Sequence, residues 1–188
     1  MSDIKVLKER PQPEKKVGRH VITVKVQHNF GVLARITGLF AGRGYNIESL
    51  TVGRTHEPNI ARITIVVEGD ERVIEQIIKQ LRKLIETLRV RDITEIPHIE
   101  RELALIKIHT ENDRTRDEIM RLVNIFRAKV VDVSTDTYTV EITGDEDKIE
   151  AFISLIKPFG IREMARTGTL AMVRESAASK IMPGEKFD

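Results

Sequence analysis

Residues 64–75 read Thr64-Ile-Val-Val-Glu-Gly-Asp-Glu-Arg-Val-Ile-Glu75, and residues 139–150 read Thr139-Val-Glu-Ile-Thr-Gly-Asp-Glu-Asp-Lys-Ile-Glu150. Thr64-Ile65, Gly69-Asp70-Glu71 and Ile74-Glu75 recur at one constant offset as Thr139-Val140, Gly144-Asp145-Glu146 and Ile149-Glu150. Both copies leave a β-rich run through Gly-Asp and enter a helix, with the aspartate placed to accept from N–H groups of the first turn. A few shared residues can arise by chance. Shared residues within a shared order of elements indicate a duplicated unit.

Outward from the first copy, Val21, Ile22, Val24 and Val26 predict a strand over 20–27, with Ile22, Val24 and Val26 on one face. Val32, Leu33, Ile36, Leu39 and Phe40 then recur at helical spacing, and Gly42 and Gly44 close that helix. Residues 45–52 and 60–68 are β-rich and joined by a loop with Pro58 and Asn59, which predicts a hairpin. Ile74, Ile77, Ile78, Leu81 and Ile85 predict one face of a helix capped by Asp70, and 88–96 a returning strand. The order βαββαβ implies a four-stranded antiparallel sheet with two helices on one face.

The second copy follows the same order. Residues 103–108 predict a strand, and Thr115 with Glu118 a capping box for a helix presenting Ile119, Leu122, Val123 and Phe126. Residues 130–134 and 138–142 predict a hairpin. Asp145 caps a helix bearing Ile149, Phe152, Ile153 and Ile156, which Pro158 stops, and 161–166 form the last strand. The predicted fold class is α+β, with tandem ferredoxin-like units over 20–97 and 98–173 and a boundary near 97–101. A flexible basic arm over 1–19, with Pro11 and Pro13, and a loose tail over 174–188 flank them. The arm reads as solvated, with docking to a partner protein as the alternative.

Composition narrows the function. In 188 residues, 40% hydrophobic content supports a core, and a net charge of +2 gives weak attraction to nucleic acid or anionic lipid. No cysteine is present, which excludes disulfides and thiolate metal sites and fits a reducing cytoplasm. No apolar run reaches the ~20 residues of a membrane span. The sequence contains no HExxH, GxSxG or P-loop, and His20, His28, His56, His98 and His109 are scattered without metal-ligand spacing. An RNA-binding version of this fold needs exposed aromatics on its central strands, where this chain has Ile63, Ile65 and Val67 alternating with Arg62, Thr64 and Val66.

The stretch Val26-Gln27-His28-Asn29-Phe30-Gly31-Val32-Leu33 carries the functional signal. A strand passes through a glycine into a helix start, where about four N–H groups lack intrahelical partners and roughly half a positive charge accumulates. A carboxylate is stabilised there, and Gly31 offers no Cβ to block it. The α-amino group of an amino acid then needs an acceptor, a backbone carbonyl or the amide oxygen of Asn46. Its side chain needs an apolar wall, for which Leu33 and Ile47 are candidates. The blander reading makes Asn29 an N-cap, Gly31 a turn residue, Leu33 and Ile47 core, and His28 a surface residue. The matching junction of the second copy, Thr110-Glu111-Asn112-Asp113-Arg114, has two acids and no glycine, so an anion site belongs to the first copy.

The run Gly31-Val-Leu-Ala-Arg-Ile-Thr-Gly-Leu-Phe-Ala-Gly-Arg-Gly-Tyr-Asn-Ile-Glu-Ser-Leu-Thr-Val-Gly53 closely resembles the regulatory small subunit of acetolactate synthase. The likeness continues through Arg62-Ile-Thr-Ile, Gln76-Ile-Ile-Lys-Gln-Leu and Leu88-Arg-Val to Glu100-Arg-Glu-Leu and Tyr138-Thr-Val. It implies an N-terminal ACT domain, a βαββαβ amino-acid sensor, followed by a second ferredoxin-like domain. It implies a cytoplasmic, non-catalytic subunit that activates the catalytic large subunit and mediates feedback inhibition by valine in branched-chain amino-acid biosynthesis, isoleucine included. Thiamine diphosphate, Mg2+ and FAD are then expected on the catalytic subunit and no cofactor on this chain, with neither nucleic acid nor membrane as partner. In the family two ACT domains pair into one eight-stranded sheet with valine at the interface. The resemblance therefore implies a homodimer whose effector site joins His28, Asn29, Phe30, Gly31, Val32 and Leu33 of one chain to Asn46 and Ile47 of the other. The chain departs from the family at His28, where asparagine is usual; histidine can donate or accept but is larger and titratable. The second copy, lacking such a pocket, is the expected contact for the catalytic subunit. An amino-acid-insensitive scaffold and an acylphosphatase-like enzyme on the same fold are the alternative readings.

Overall fold

A computed structural model describes residues 17–175. The first unit runs β1 (Gly18–Gln27), α1 (Val32–Ala41), β2 (Ser49–Arg54), β3 (Ile60–Gly69), α2 (Glu71–Leu81) and β4 (Thr87–Asp92). Its antiparallel sheet has the order β2-β3-β1-β4. Strand side chains alternate between faces, so Ile22, Val24 and Val26 of β1 and Ile63, Ile65 and Val67 of β3 turn the same way. They meet Val32, Ile36 and Phe40 of α1 and Ile74, Ile77 and Leu81 of α2 in one core. The second unit runs β5 (His98–His109), α3 (Asp113–Ile125), β6 (Lys129–Val133), β7 (Thr137–Gly144), α4 (Glu146–Ile156) and β8 (Ile161–Arg166). Its order β6-β7-β5-β8 copies the first, over a core of Ile106, Ile108, Ile119, Val123, Phe152 and Ile156. The tandem ferredoxin-like, α+β architecture read from the repeat is the one observed.

Asp70 and Asp145 cap their helices as expected, accepting from Val73 and Lys148 N–H at 2.9 and 3.0 Å. Elsewhere the structure corrects local readings. The cap of α3 is Asn112, which accepts from Thr115 N–H at 3.0 Å, so the box of Thr115 and Glu118 lies inside the helix. Ile85 continues the apolar spacing of α2 but falls beyond its end at Leu81 and is 90% exposed. Strand β1 starts at Gly18, two residues before the expected start. A strand absent from the sequence reading, β9 (Leu170–Val173), pairs with the first four residues of β5. The rest of the expected arm, 1–16, and of the tail, 176–188, lies outside the described residues.

The 97–101 boundary is no loose linker, because β5 begins at His98 and runs unbroken into the second sheet. β9 brings Ala171 back against Val21, Val66 and Ile93 of the first unit. The guanidinium of Arg19 on β1 reaches across to Glu100 at 2.8 Å and Glu146 at 3.1 Å. Burial pushes the Glu100 carboxyl up, but hydrogen bonds from Arg19 and then His98 outweigh it and hold the group below its usual range. Thr169 N–H donates to Ser49 Oγ at 2.8 Å, and Thr51 Oγ1 donates to the Thr167 carbonyl at 3.3 Å, tying β2 to the bulge between β8 and β9.

That bulge needs Gly168. Its φ is +80°, and a Cβ there would sit 2.6 Å from Ser49 Oγ and 3.2 Å from Thr51 Oγ1. Ser49 could escape only by abandoning Thr169. Gly168→Ala is expected to destabilise by about 1–3 kcal/mol, combining backbone strain with a lost hydrogen bond, read as a lower midpoint in denaturant. An unchanged midpoint would show that the bulge yields freely. No helix among the described residues is long and apolar enough to cross a membrane.

Candidate functional site

The junction between β1 and α1 is built by the backbone. Gln27 N–H donates to the Glu86 carbonyl at 2.9 Å and His28 N–H to the Asn59 carbonyl at 2.7 Å, which fixes the strand end. Gly31 then turns with φ +80°, a left-handed conformation that a side chain disfavours, and serves as the N-cap residue of α1. Asn29 is not the cap: its side-chain N–H donates to Gln27 Oε1 at 3.3 Å. The start of α1 has no side-chain cap and no acid in its first turn. The starts of α2, α3 and α4 each have both, through Asp70 with Glu71, Asn112 with Asp113, and Asp145 with Glu146 and Asp147. One α-helix start of the four among the described residues thus keeps its positive end unanswered.

The side chains around it are mostly open. His28, Asn29 and Phe30 are exposed, Phe30 completely, and the His28 ring has no hydrogen-bond partner among the described residues. Val32 is buried in the core, whereas Leu33, on the expected apolar face, stands 44% exposed and is free to line a pocket. Sequence reading missed Arg35. One turn beyond Gly31, its guanidinium lies 3.4 Å from where a Gly31 Cβ would be, and it hydrogen-bonds the Phe30 carbonyl at 3.4 Å and pairs with Glu86. The signal was present as a lone cation four residues after the glycine, a spacing that stacks two positions on one helix face.

Asn46 and Ile47 do not join this group within one chain. They lie in the loop before β2, Asn46 exposed and Ile47 packed on the core, rather than at the strand's start. Between the Gly31 turn and the Asn46–Ile47 loop runs α1, whose 10 residues span about 15 Å at ~1.5 Å each. One end of α1 has the uncapped turn and the other has Gly44, Asn46 and Ile47.

Both halves of the chain match known families. Residues 22–89 match the family described as an AHAS small subunit-like ACT domain, and residues 101–175 that described as the small subunit of acetolactate synthase. The acetolactate synthase small subunit of Aquifex aeolicus is 61% identical over 176 residues, covering 93% of this chain and 92% of that protein. The chain belongs to the acetolactate synthase small subunit family. A probable member from Archaeoglobus fulgidus is 58% identical over 156 residues, covering 83% of this chain and 97% of its own length. The crystal structure of the Thermotoga maritima small subunit superposes with a TM-score of 0.77 at 43% identity, over 84% of this chain and 98% of that one. The likeness read from residues 31–53 is therefore correct, and the uncapped turn belongs to the ACT domain.

Proposed function

We propose that this chain is the valine-sensing regulatory subunit of an acetolactate synthase, activating a thiamine-diphosphate-dependent catalytic subunit in the cytoplasm and inhibiting it when valine accumulates. One observation carries the reading: of the four α-helix starts among the described residues, that of α1 alone lacks both a side-chain cap and an acid. A ligand carboxylate takes the place that Asp70, Asn112 and Asp145 fill elsewhere, and the Arg35 guanidinium, shared with Glu86, lies one turn on. The other half of the site comes from a second chain. β2 pairs with β3 alone, so its outer edge is open among the described residues. Two sheets joined edge to edge about a two-fold axis set their α1 helices antiparallel. The Gly31 end of one then meets the Asn46–Ile47 loop of the other, and the exposed Phe30 and Leu33 gain cover.

This chain performs no chemistry of its own in that scheme; thiamine diphosphate, Mg2+ and FAD reside on the catalytic subunit. The test combines calorimetry of the purified chain with valine, leucine and isoleucine and an activity assay with the catalytic subunit. Valine is expected to bind and to reverse activation, with a coupling of about 1–3 kcal/mol. No heat and no thermal shift with any of the three at millimolar concentration would end the sensor reading. Activation that valine cannot reverse would make the chain a scaffold.

A further inference from the structure

The two strand-to-helix junctions of the duplicated fold share one backbone frame. Val26 pairs with Thr87 and Ile108 with Ile161, each just past a bulge. Gln27 N–H donates to the Glu86 carbonyl at 2.9 Å, and His109 N–H donates to the Gly160 carbonyl at 2.9 Å. Glu86 and Gly160 therefore hold the same place in their units, one residue before the last strand begins to pair. Gly31 and Asn112 are the N-cap residues of α1 and α3, and Arg35 and Arg116 stand four positions beyond them. Arg116 is answered inside its own first turn, by Asp113 at 3.2 Å, and it also bonds the Thr135 carbonyl. The first unit has Val32 where the second has Asp113, and its acid stands instead at Glu86, where the second unit has a glycine.

An acid in the first turn answers the helix start as well as the arginine. Glu86 answers the arginine and leaves the helix start open. Its side chain is only 11% exposed, and among the described residues Arg35 is the cation that pairs with it. A carboxylate so buried is costly without a partner, which makes the hold on Arg35 firm. Within the guanidinium, Nη2 donates to Glu86 and, at 3.4 Å, to the Phe30 carbonyl, while Nη1 lies 3.4 Å from where a Gly31 Cβ would be. We propose that Glu86 is the resident counter-anion of the effector site and sets its threshold: it holds Arg35 beside the turn and takes up part of the charge that a bound carboxylate would use. The proposal deepens the preceding reading of the Gly31 turn as an amino-acid carboxylate site and rests on it. A bound ligand then shares one guanidinium with Glu86, and each anion weakens the other's hold.

The test is calorimetry of the full-length chain with valine, leucine and isoleucine, beside inhibition of the assembled enzyme. Glu86→Gln keeps the shape and an acceptor oxygen and removes the charge. It is expected to tighten binding of the amino acid that the wild type binds by about tenfold, and to lower the half-inhibiting concentration by the same factor. Damage to the fold weakens binding, so a gain of affinity reports charge. Glu86→Asp keeps the charge and should stay close to wild type. In an Arg35→Gln background the gain from Glu86→Gln should shrink well below tenfold, because the shared cation is gone. If Glu86→Gln proves unstable, Glu86→Ser carries the same expectation. Affinity equal to or weaker than wild type in a folded charge-free variant would overturn the proposal while leaving the sensor reading intact. A full tenfold gain without Arg35 would overturn it as well. Failure of the wild-type chain to bind any of the three amino acids would remove the sensor reading and this proposal with it.

Discussion

Gly31→Asp is expected to remove valine binding from this chain. The substitution acts in three ways at one position. At φ +80° any side chain adds backbone strain, about 1–2 kcal/mol, which aspartate tolerates better than most residues. The new carboxylate comes within reach of Arg35, whose guanidinium is 3.4 Å from the added Cβ and already pairs with Glu86, and competes for the charge that a bound carboxylate would share. It also faces the ligand's own carboxylate. Two unit charges about 4 Å apart repel by about 4 kcal/mol at the effective dielectric of a protein surface, roughly a thousandfold in affinity. A millimolar or micromolar ligand then disappears from a calorimetric titration. Gly31→Ala separates the causes, since it brings strain without charge and is expected to weaken binding only partly. Wild-type affinity in the aspartate variant would move the site elsewhere in the molecule.

Much of this was legible in the residues, and the exceptions have physical reasons. Local signals read well: Asp70 and Asp145 cap because their carboxylates satisfy first-turn N–H groups wherever such a turn forms. Ile85 misled because periodicity says which face a residue would take and not where a helix stops; α2 ends at Leu81. β9 was invisible because four residues without a turn signal gain strand geometry only by pairing with β5 some 70 positions earlier, as His98 with Val173 shows. Arg35 and Glu86 are far apart in sequence and meet only once register sets β4 beside β1. The proposed effector site, completed in that proposal by a second chain, is half legible for a different reason. Its glycine turn is local, but the Asn46–Ile47 loop proposed to complete it lies a helix length away.

The largest loss of stability is expected from Arg166→Met. The Arg166 guanidinium grips Glu102 with Nε at 2.6 Å and a second nitrogen at 3.1 Å, and reaches Glu150 on α4 at 2.5 Å. The Glu102 side chain is only 6% exposed. Hydrogen bonding to Glu102 raises the Arg166 pKa further above its already high ordinary value, so the guanidinium stays charged. Methionine keeps the aliphatic stem and removes every donor. A buried carboxylate left without its cation costs about 3–5 kcal/mol, with the lower figure expected where water can reach from the side on which Arg166 is partly open. The measurement is the midpoint of unfolding in denaturant. Glu102→Gln in the same background tests the cause, because it removes the stranded charge and should recover much of the loss; a double variant no better than Arg166→Met would mean packing, not charge, is at stake. The effect also has a place. Glu102 and Arg166 line a cavity of about 410 Å³ between the units, together with Glu48 and Ser49 of the segment that follows Asn46 and Ile47. A chain that loses this pair should still bind valine at the Gly31 turn, since no part of the pair lies there. It should transmit binding less well to whatever the second unit contacts, giving normal calorimetry but weaker inhibition of the assembled enzyme.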